Sequence, residues 1–254
     1  MSNLEYSFDN ILKSYIDIGV QLTNHQVNVI SSNKNMTKTY IRKRAITLKK
    51  TGFEETLLSD KELELFKKYD KKIYDDYINY MSNLKELDLY RNQLTTLPEN
   101  IGNLKKLGEL WLYNNNLTSL PDSIGNLTNL KELWLYNNQL TSLPESIGKL
   151  TNLEELHLSN NQLTSLPESI GNLTKLKALY LGENKLESLP DSIGNLSNLT
   201  YLNLDDNNLT SLPESIGNLT KLTDLFLSDN PISDEEKVRI KKLLPNTEIN
   251  IKPR

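Results

Sequence analysis

The chain of 254 residues contains no cysteine. Disulfides, cysteine nucleophiles and thiolate-bound zinc are thereby excluded together. Histidine is nearly as scarce, with His25 and His157 as its two representatives. No apolar run approaches the roughly 20 residues that cross a bilayer. The opening MSNLEYSFDN has neither a basic n-region nor an apolar h-region, so no secretory signal is expected there. A phosphate-cradling glycine loop and an EF-hand pattern are also missing, and no cofactor or metal is expected. These absences favour a cytoplasmic protein, with delivery into another cell as an effector still compatible. The formal charge of −4 is mild but uneven. Residues 1–83 hold more Lys and Arg than Asp and Glu, and the remainder is net acidic, a poor surface for phosphate.

What the chain has in abundance is itself. From Leu84 onward a 23-residue pattern recurs, with units starting at Leu84, Leu107, Leu130, Leu153, Leu176, Leu199 and Leu222. Each begins LxxLxLxxN, followed by xL in all but the last, which has Pro231-Ile232, and all but the last continue xxLPxxIGxL. A period of this length marks a stacked solenoid whose units touch only their neighbours. Within a unit, apolar positions 4 and 6 alternate with polar ones, the period-2 signature of a half-buried strand. Leu133 and Leu135 are thus expected inside, with Glu132, Trp134 and Tyr136 outside. Position 9 is Asn in every unit: Asn92, Asn115, Asn138, Asn161, Asn184, Asn207 and Asn230. Seven buried amides need partners. A ladder of bonds to backbone groups of the same and the adjacent coil would supply them. The Leu-Pro pair is expected to open a short helical return at its first position, and the Ile-Gly pair to end it through a positive φ at glycine.

On these residues the array resembles a leucine-rich repeat domain of the LxxLPxxIGxL type, known from intracellular Ras-group scaffolds and bacterial leucine-rich proteins. The resemblance covers about two-thirds of the chain. It implies an α/β fold, a right-handed solenoid of seven units with a parallel concave sheet, and partner binding as the usual activity. A small helical N-terminal region would precede the array. The shorter proline-rich repeat of bacterial ubiquitin-ligase effectors is not matched.

The domain reading follows. Residues 1–58 form a helical extension, 59–83 a capping helix, 84–244 the array and 245–254 a final cap strand. Ser59–Glu62 and Ser233–Glu236 are capping-box candidates that open helices. The second helix is expected through Leu244, stopped by Pro245. In the first helix, Leu63, Phe66, Ile73, Tyr77 and Met81 share a face. Upstream, Phe8, Ile11, Leu12, Tyr15 and Ile16 follow helical spacing, and 23–39 reads as a polar loop.

Positions 3, 5 and 7 face solvent on the sheet, so their choice carries information. Position 5 runs Asp88, Trp111, Trp134, His157, Tyr180, Asn203, Phe226; position 7 begins Tyr90, Tyr113, Tyr136. Position 3 gives a carboxylate row of Glu86, Glu109, Glu132 and Glu155. The expected partner-binding set is Tyr90, Trp111, Tyr113, Trp134, Tyr136, His157 and Tyr180, with Glu109 and Glu132. Aromatic rings clustered on an open surface dominate interface energetics. Cross-strand packing of duplicated rings is the structural alternative. At ~4.8 Å per strand the rows cover roughly 20 Å, the centre of a contact rather than all of it.

The function expected is a non-enzymatic protein-interaction module, an adaptor, scaffold or effector that is a monomer with a protein partner and no small-molecule substrate. A surface-associated adhesive repeat protein is the competing role. A third is nucleic-acid or acidic-lipid contact through the basic segment 38–50, which includes Arg42, Lys43 and Arg44. A solvated helix face explains that segment better. Glu155, His157 and Ser159 share a strand face and resemble a triad in composition. Their same-face spacing of about 6.5–7 Å is expected to keep them out of hydrogen-bond reach.

Overall fold

The alternating leucines of each unit form a strand. The computed structural model describes residues 63–64, 67–68 and 71–252. Its strands are β1 (Glu86–Asp88), β2 (Glu109–Trp111), β3 (Glu132–Trp134), β4 (Glu155–His157), β5 (Ala178–Tyr180), β6 (Tyr201–Asn203), β7 (Asp224–Phe226) and β8 (Glu248–Asn250). All eight lie parallel in one sheet, in chain order. Register follows the repeat: Leu87 pairs Leu110, which pairs Leu133. A column in the aligned units is therefore a physical row across the sheet.

The inward rows are shut off from water. Leu110, Leu112, Leu133, Leu135, Ile124 and Ile147 are all fully buried. Each contributes roughly 1.5–3 kcal/mol relative to exposure, and this row-on-row burial is the main force holding the stack.

The return of each unit is a 3₁₀ turn, for example Asp122–Asn126, Glu145–Lys149 and Glu168–Asn172. Two expectations about it need correction. Proline is the residue before the turn, not its first member: Pro144 is extended, with φ −70° and ψ 150°. Its carbonyl accepts from Ile147 N at 3.0 Å. Glycine does not end the turn through a positive φ either. It is needed because the next coil presses on it. A Cβ at Gly148 would lie 2.6 Å from Ser169 Cβ, and closer still to that residue's carbonyl oxygen. Gly125, Gly171 and Gly194 meet Ser146, Ser192 and Ser215 in the same way. Positive φ falls instead at position 8 of every unit, among them Asn114, Asn137 and Asn160 near +55°. Asparagine tolerates that region better than most residues. Here it also builds a second ladder, Asn160 Nδ2 donating to Asn137 Oδ1 at 2.9 Å and Asn137 Nδ2 to Asn114 Oδ1 at 2.7 Å.

The position-9 amides are held from both sides. Asn161 Nδ2 donates to Leu135 O in the preceding coil and to Leu158 O in its own, both at 3.0 Å. Its Oδ1 accepts from Leu140 N at 3.0 Å. Asn138, Asn184 and Asn207 repeat this pattern. Five of the seven are buried rather than all: Asn92 is exposed and Asn230 half-buried.

Helix α1 (Lys71–Asn83) precedes β1, and helix α2 (Asp234–Leu243) lies between β7 and β8. The chain divides into two compact units. Of the described residues, one takes in those up to Leu84 with Pro98–Leu104, and the other Lys85–Leu97 with Lys105–Lys252. Leu63 and Met81 are buried in the first. The capping-box candidate Ser59–Glu62, Phe66, the extension and the basic segment 38–50 lie outside the described residues, as do the side chains of Ile73 and Tyr77.

At the other end, Ser233 Oγ accepts from Glu236 N at 3.2 Å, as an N-cap should. Glu236 does not return the bond within the box. Its carboxylate accepts from Leu212 N at 2.9 Å in the sixth unit and from Arg239. Arg239 also bonds Glu214 at 2.6 Å and the Leu212 carbonyl. The pair ties α2 to the last complete repeat.

Candidate aromatic face of the sheet

Register turns the outward columns into two files of rings. At position 7, Tyr90, Tyr113 and Tyr136 stack face to face, with centroids 5.0 and 4.6 Å apart and planes within 16° and 9°. At position 5 a longer file begins with Trp111 against Trp134, edge-on at 6.5 Å. It continues Trp134 to His157 at 4.4 Å and His157 to Tyr180 at 4.2 Å. The two files touch where Tyr113 meets Trp134 at 6.2 Å.

The long file does not stop at Tyr180. Tyr180 packs on Tyr201 at 4.8 Å and Tyr201 on Phe226 at 5.2 Å. Neither Tyr201 nor Phe226 is in the expected set. Phe226 stands in the position-5 column and was legible there. Tyr201 occupies position 3, the glutamate column, so a column-by-column reading passes over it. The detour has a local cause. At position 5 of β6, Asn203 folds back, its Oδ1 accepting from Asp205 N at 3.0 Å. Space for it exists because Gly182 has no side chain, and a Cβ there would come within 2.7 Å of that oxygen. With Asn203 withdrawn, the diagonal neighbour Tyr201 bridges Tyr180 to Phe226.

These rings are less open than the sequence suggests. Trp111, Trp134, Tyr113, Tyr136 and Tyr180 are half-buried, largely by one another, and Tyr90 alone of the set is exposed, at 41%. Stacked faces are occupied by neighbouring rings, so the files present ring edges and hydroxyls to solvent. Burial, the largest cause in each case, raises the phenol pKa of Tyr113, Tyr136 and Tyr180, and their hydroxyls stay protonated donors at neutral pH.

The glutamate row runs beside the long file, in register from Glu86 through Glu109 and Glu132 to Glu155. Two members are paired to rings: Trp134 Nε1 donates to Glu132 Oε2 at 3.2 Å, and His157 Nε2 lies 3.1 Å from Glu155 Oε2. The second pair corrects the expectation drawn from strand spacing. Cα spacing limits backbones, but a glutamate and an imidazole lean together across it. Ser159 does not join them with a hydrogen bond among the described residues, so no triad forms. Burial lowers the His157 pKa more than Glu155, and then Glu132, raise it, which favours the neutral ring. Glu109 is shifted up by burial and then by Glu132 and Glu86 on either side, with Lys131 opposing. Trp111 Nε1 is buried without a hydrogen-bond partner.

Among the described residues no cluster of His, Asp and Glu is arranged to hold a metal, and no helix is long and apolar enough to cross a membrane.

Comparison with known proteins places this geometry. The leucine-rich repeat region, as a family, matches residues 62–162 and again 156–247. A solved leucine-rich repeat protein of Leptospira interrogans is 42% identical, with a TM-score of 0.60. The match covers 68% of this chain and 50% of that one, so the chain spans about half the length of the Leptospira protein. No curated protein matches.

Proposed function

Since the chain belongs to the leucine-rich repeat family, we propose that it is a non-enzymatic interaction module that holds a protein partner against the aromatic face of its sheet. The observation that carries this reading is the file of six rings from Trp111 to Phe226, built on positions the solenoid does not need for its core. Buried leucine rows and the asparagine ladder satisfy the fold without it. Trp and Tyr are the residues that most often anchor an interface, each worth ~2 kcal/mol or more where well packed. Tyr90, Tyr113 and Tyr136 supply hydroxyl donors along the flank, and Glu109 and Glu132 supply acceptors. The ring file spans six strands, roughly 24 Å, which suits an extended segment or the centre of a larger contact. The chain acts as a monomeric intracellular adaptor, with no substrate of its own.

Affinity capture from the native host tests this. Full-length chain and a Trp111→Ala, Trp134→Ala variant are compared, with circular dichroism showing both folded. The parent retains a defined set of proteins and the variant loses it. Identical sets from both would remove the aromatic face from the reading.

A further inference from the structure

The two ends of the face differ in chemistry, and the difference points to the partner. In β3 and β4 the ring at position 5 bonds the glutamate at position 3. In β2 Trp111 and Glu109 occupy the same two positions, yet Trp111 Nε1 is buried without a hydrogen-bond partner. In β1 the column holds no ring at all. Asp88 stands in register with Trp111, and Glu86 with Glu109. Among the described residues the one ring contact of Trp111 is with Trp134, and its register neighbour on the β1 side is Asp88 rather than a ring.

Three acids thus occupy the outward positions of β1 and β2 around Trp111: Glu86 and Asp88, both exposed, and Glu109, half-buried and raised in pKa by burial and then by Glu132 and Glu86. Arg91 lies over the Tyr90 ring at 5.9 Å, and Lys131 acts on Glu109. Asp88 Oδ1 accepts from Tyr90 N at 3.1 Å, and the residue is exposed. Like charges in register on neighbouring strands repel, and a cation seated among them relieves that cost. A guanidinium or ammonium against an indole with carboxylates at its rim gains both cation–π and charge-assisted hydrogen bonds.

At the far end the chemistry is reversed. His157, Tyr180, Tyr201 and Phe226 form an uncharged run. Fewer acids border it: Asp205, which accepts from Ser228 N at 2.7 Å, and Asp224, which accepts from the Thr223 hydroxyl at 2.5 Å and stands in register with Tyr201.

Resting on the docking reading above, we propose that the partner is a polypeptide segment that seats an arginine or lysine side chain among Glu86, Asp88, Glu109 and Trp111, and lays apolar side chains over His157, Tyr180, Tyr201 and Phe226. From β1–β2 to β5 is about 14–19 Å, so an extended segment places its basic residue about five positions from the apolar ones.

The test uses a displayed library of random 12-residue peptides selected on immobilised full-length chain. Recovered peptides are expected to share one Arg or Lys followed or preceded, at about that spacing, by apolar residues. A recovered arginine peptide and its citrulline counterpart are then titrated while tryptophan emission is followed, since both tryptophans of the chain sit in the face. The arginine form is expected to bind at least about tenfold tighter, a difference of roughly 1.4 kcal/mol. The discrimination should vanish in the Glu86→Gln, Glu109→Gln variant. It should weaken in Asp88→Asn, which keeps the acceptor for Tyr90 N. Peptides recovered without a basic residue would overturn the anchor and leave the docking reading standing. Recovery of no peptide above bare matrix would overturn both. Discrimination that survives all three substitutions would place the cation elsewhere and end the proposal.

Discussion

At the scale of single residues, two kinds of glycine in one repeat column separate what the motif demands from what it merely copies. Gly148 is pressed by the Ser169 backbone, whereas Gly217, in the last complete unit, faces Leu243 of α2 at an ordinary 3.5 Å. Gly148→Ala must push two coils apart, at a cost of about 3 kcal/mol, the upper range for overpacking. Gly217→Ala should stay within about 0.5 kcal/mol of the parent, as a substitution without a steric conflict does. Urea unfolding of the two variants checks the contrast. Equal losses would mean that glycine is needed for its backbone freedom at both places, which its ordinary φ argues against. Asparagine divides in the same way. Asn161 is fixed by bonds to two coils, while Asn92, with no coil before it in the ladder, is exposed and bonds Tyr90 O in its own unit.

Among elements, α2 holds the open end of the stack. Its N-cap is ordinary, but its attachment is electrostatic. Arg239 joins Glu236 at 2.7 Å and Glu214 at 2.6 Å, and bonds the Leu212 carbonyl. The pairing with Glu236, then that with Glu214, holds the Arg239 guanidinium pKa above its already high value, and Arg239 lowers that of Glu236. Glu236 is mostly shielded, with a side chain 12% exposed, so this pair outweighs an ordinary surface bridge. Arg239→Ala strands that carboxylate and the Leu212 carbonyl together. The expected cost is about 1–3 kcal/mol. Hydrogen exchange should speed up first in α2 and β8, with β2–β4 unaffected. Uniform acceleration through the sheet would show that the cap is not an independent layer.

For the molecule as a whole, identical register between neighbours makes internal units interchangeable. Leu153 to Lys175 is one complete 23-residue unit. Deleting it joins Asn152 to Leu176, in phase with the inward rows and the asparagine ladder. The shortened chain should fold with seven strands instead of eight. Its urea m-value should fall roughly in proportion to the surface lost. Loss of cooperative unfolding would mean that some unit is not equivalent to its neighbours. The deletion also removes His157, bringing Trp134 next to Tyr180, so the ring file would close up rather than break.

The spacing of leucines, asparagines and the Leu-Pro and Ile-Gly pairs was enough to determine the solenoid, its parallel sheet and the side of each strand that faces water. These follow from a period that admits one way of burying every leucine. Local pairing inside a row lay beyond it, because that depends on where side-chain ends reach rather than where backbones sit. Tyr201 joins the ring file beside an Asn203 that folds back over Gly182. Glu155 met His157 despite the spacing of their Cα atoms. Gly148 proved to be a contact point between coils, a fact about neighbours that no single unit contains. A repeat in sequence fixes what lies above and below each residue. The tertiary structure decided which of those neighbours touch, since contact is settled by shape at the scale of an ångström.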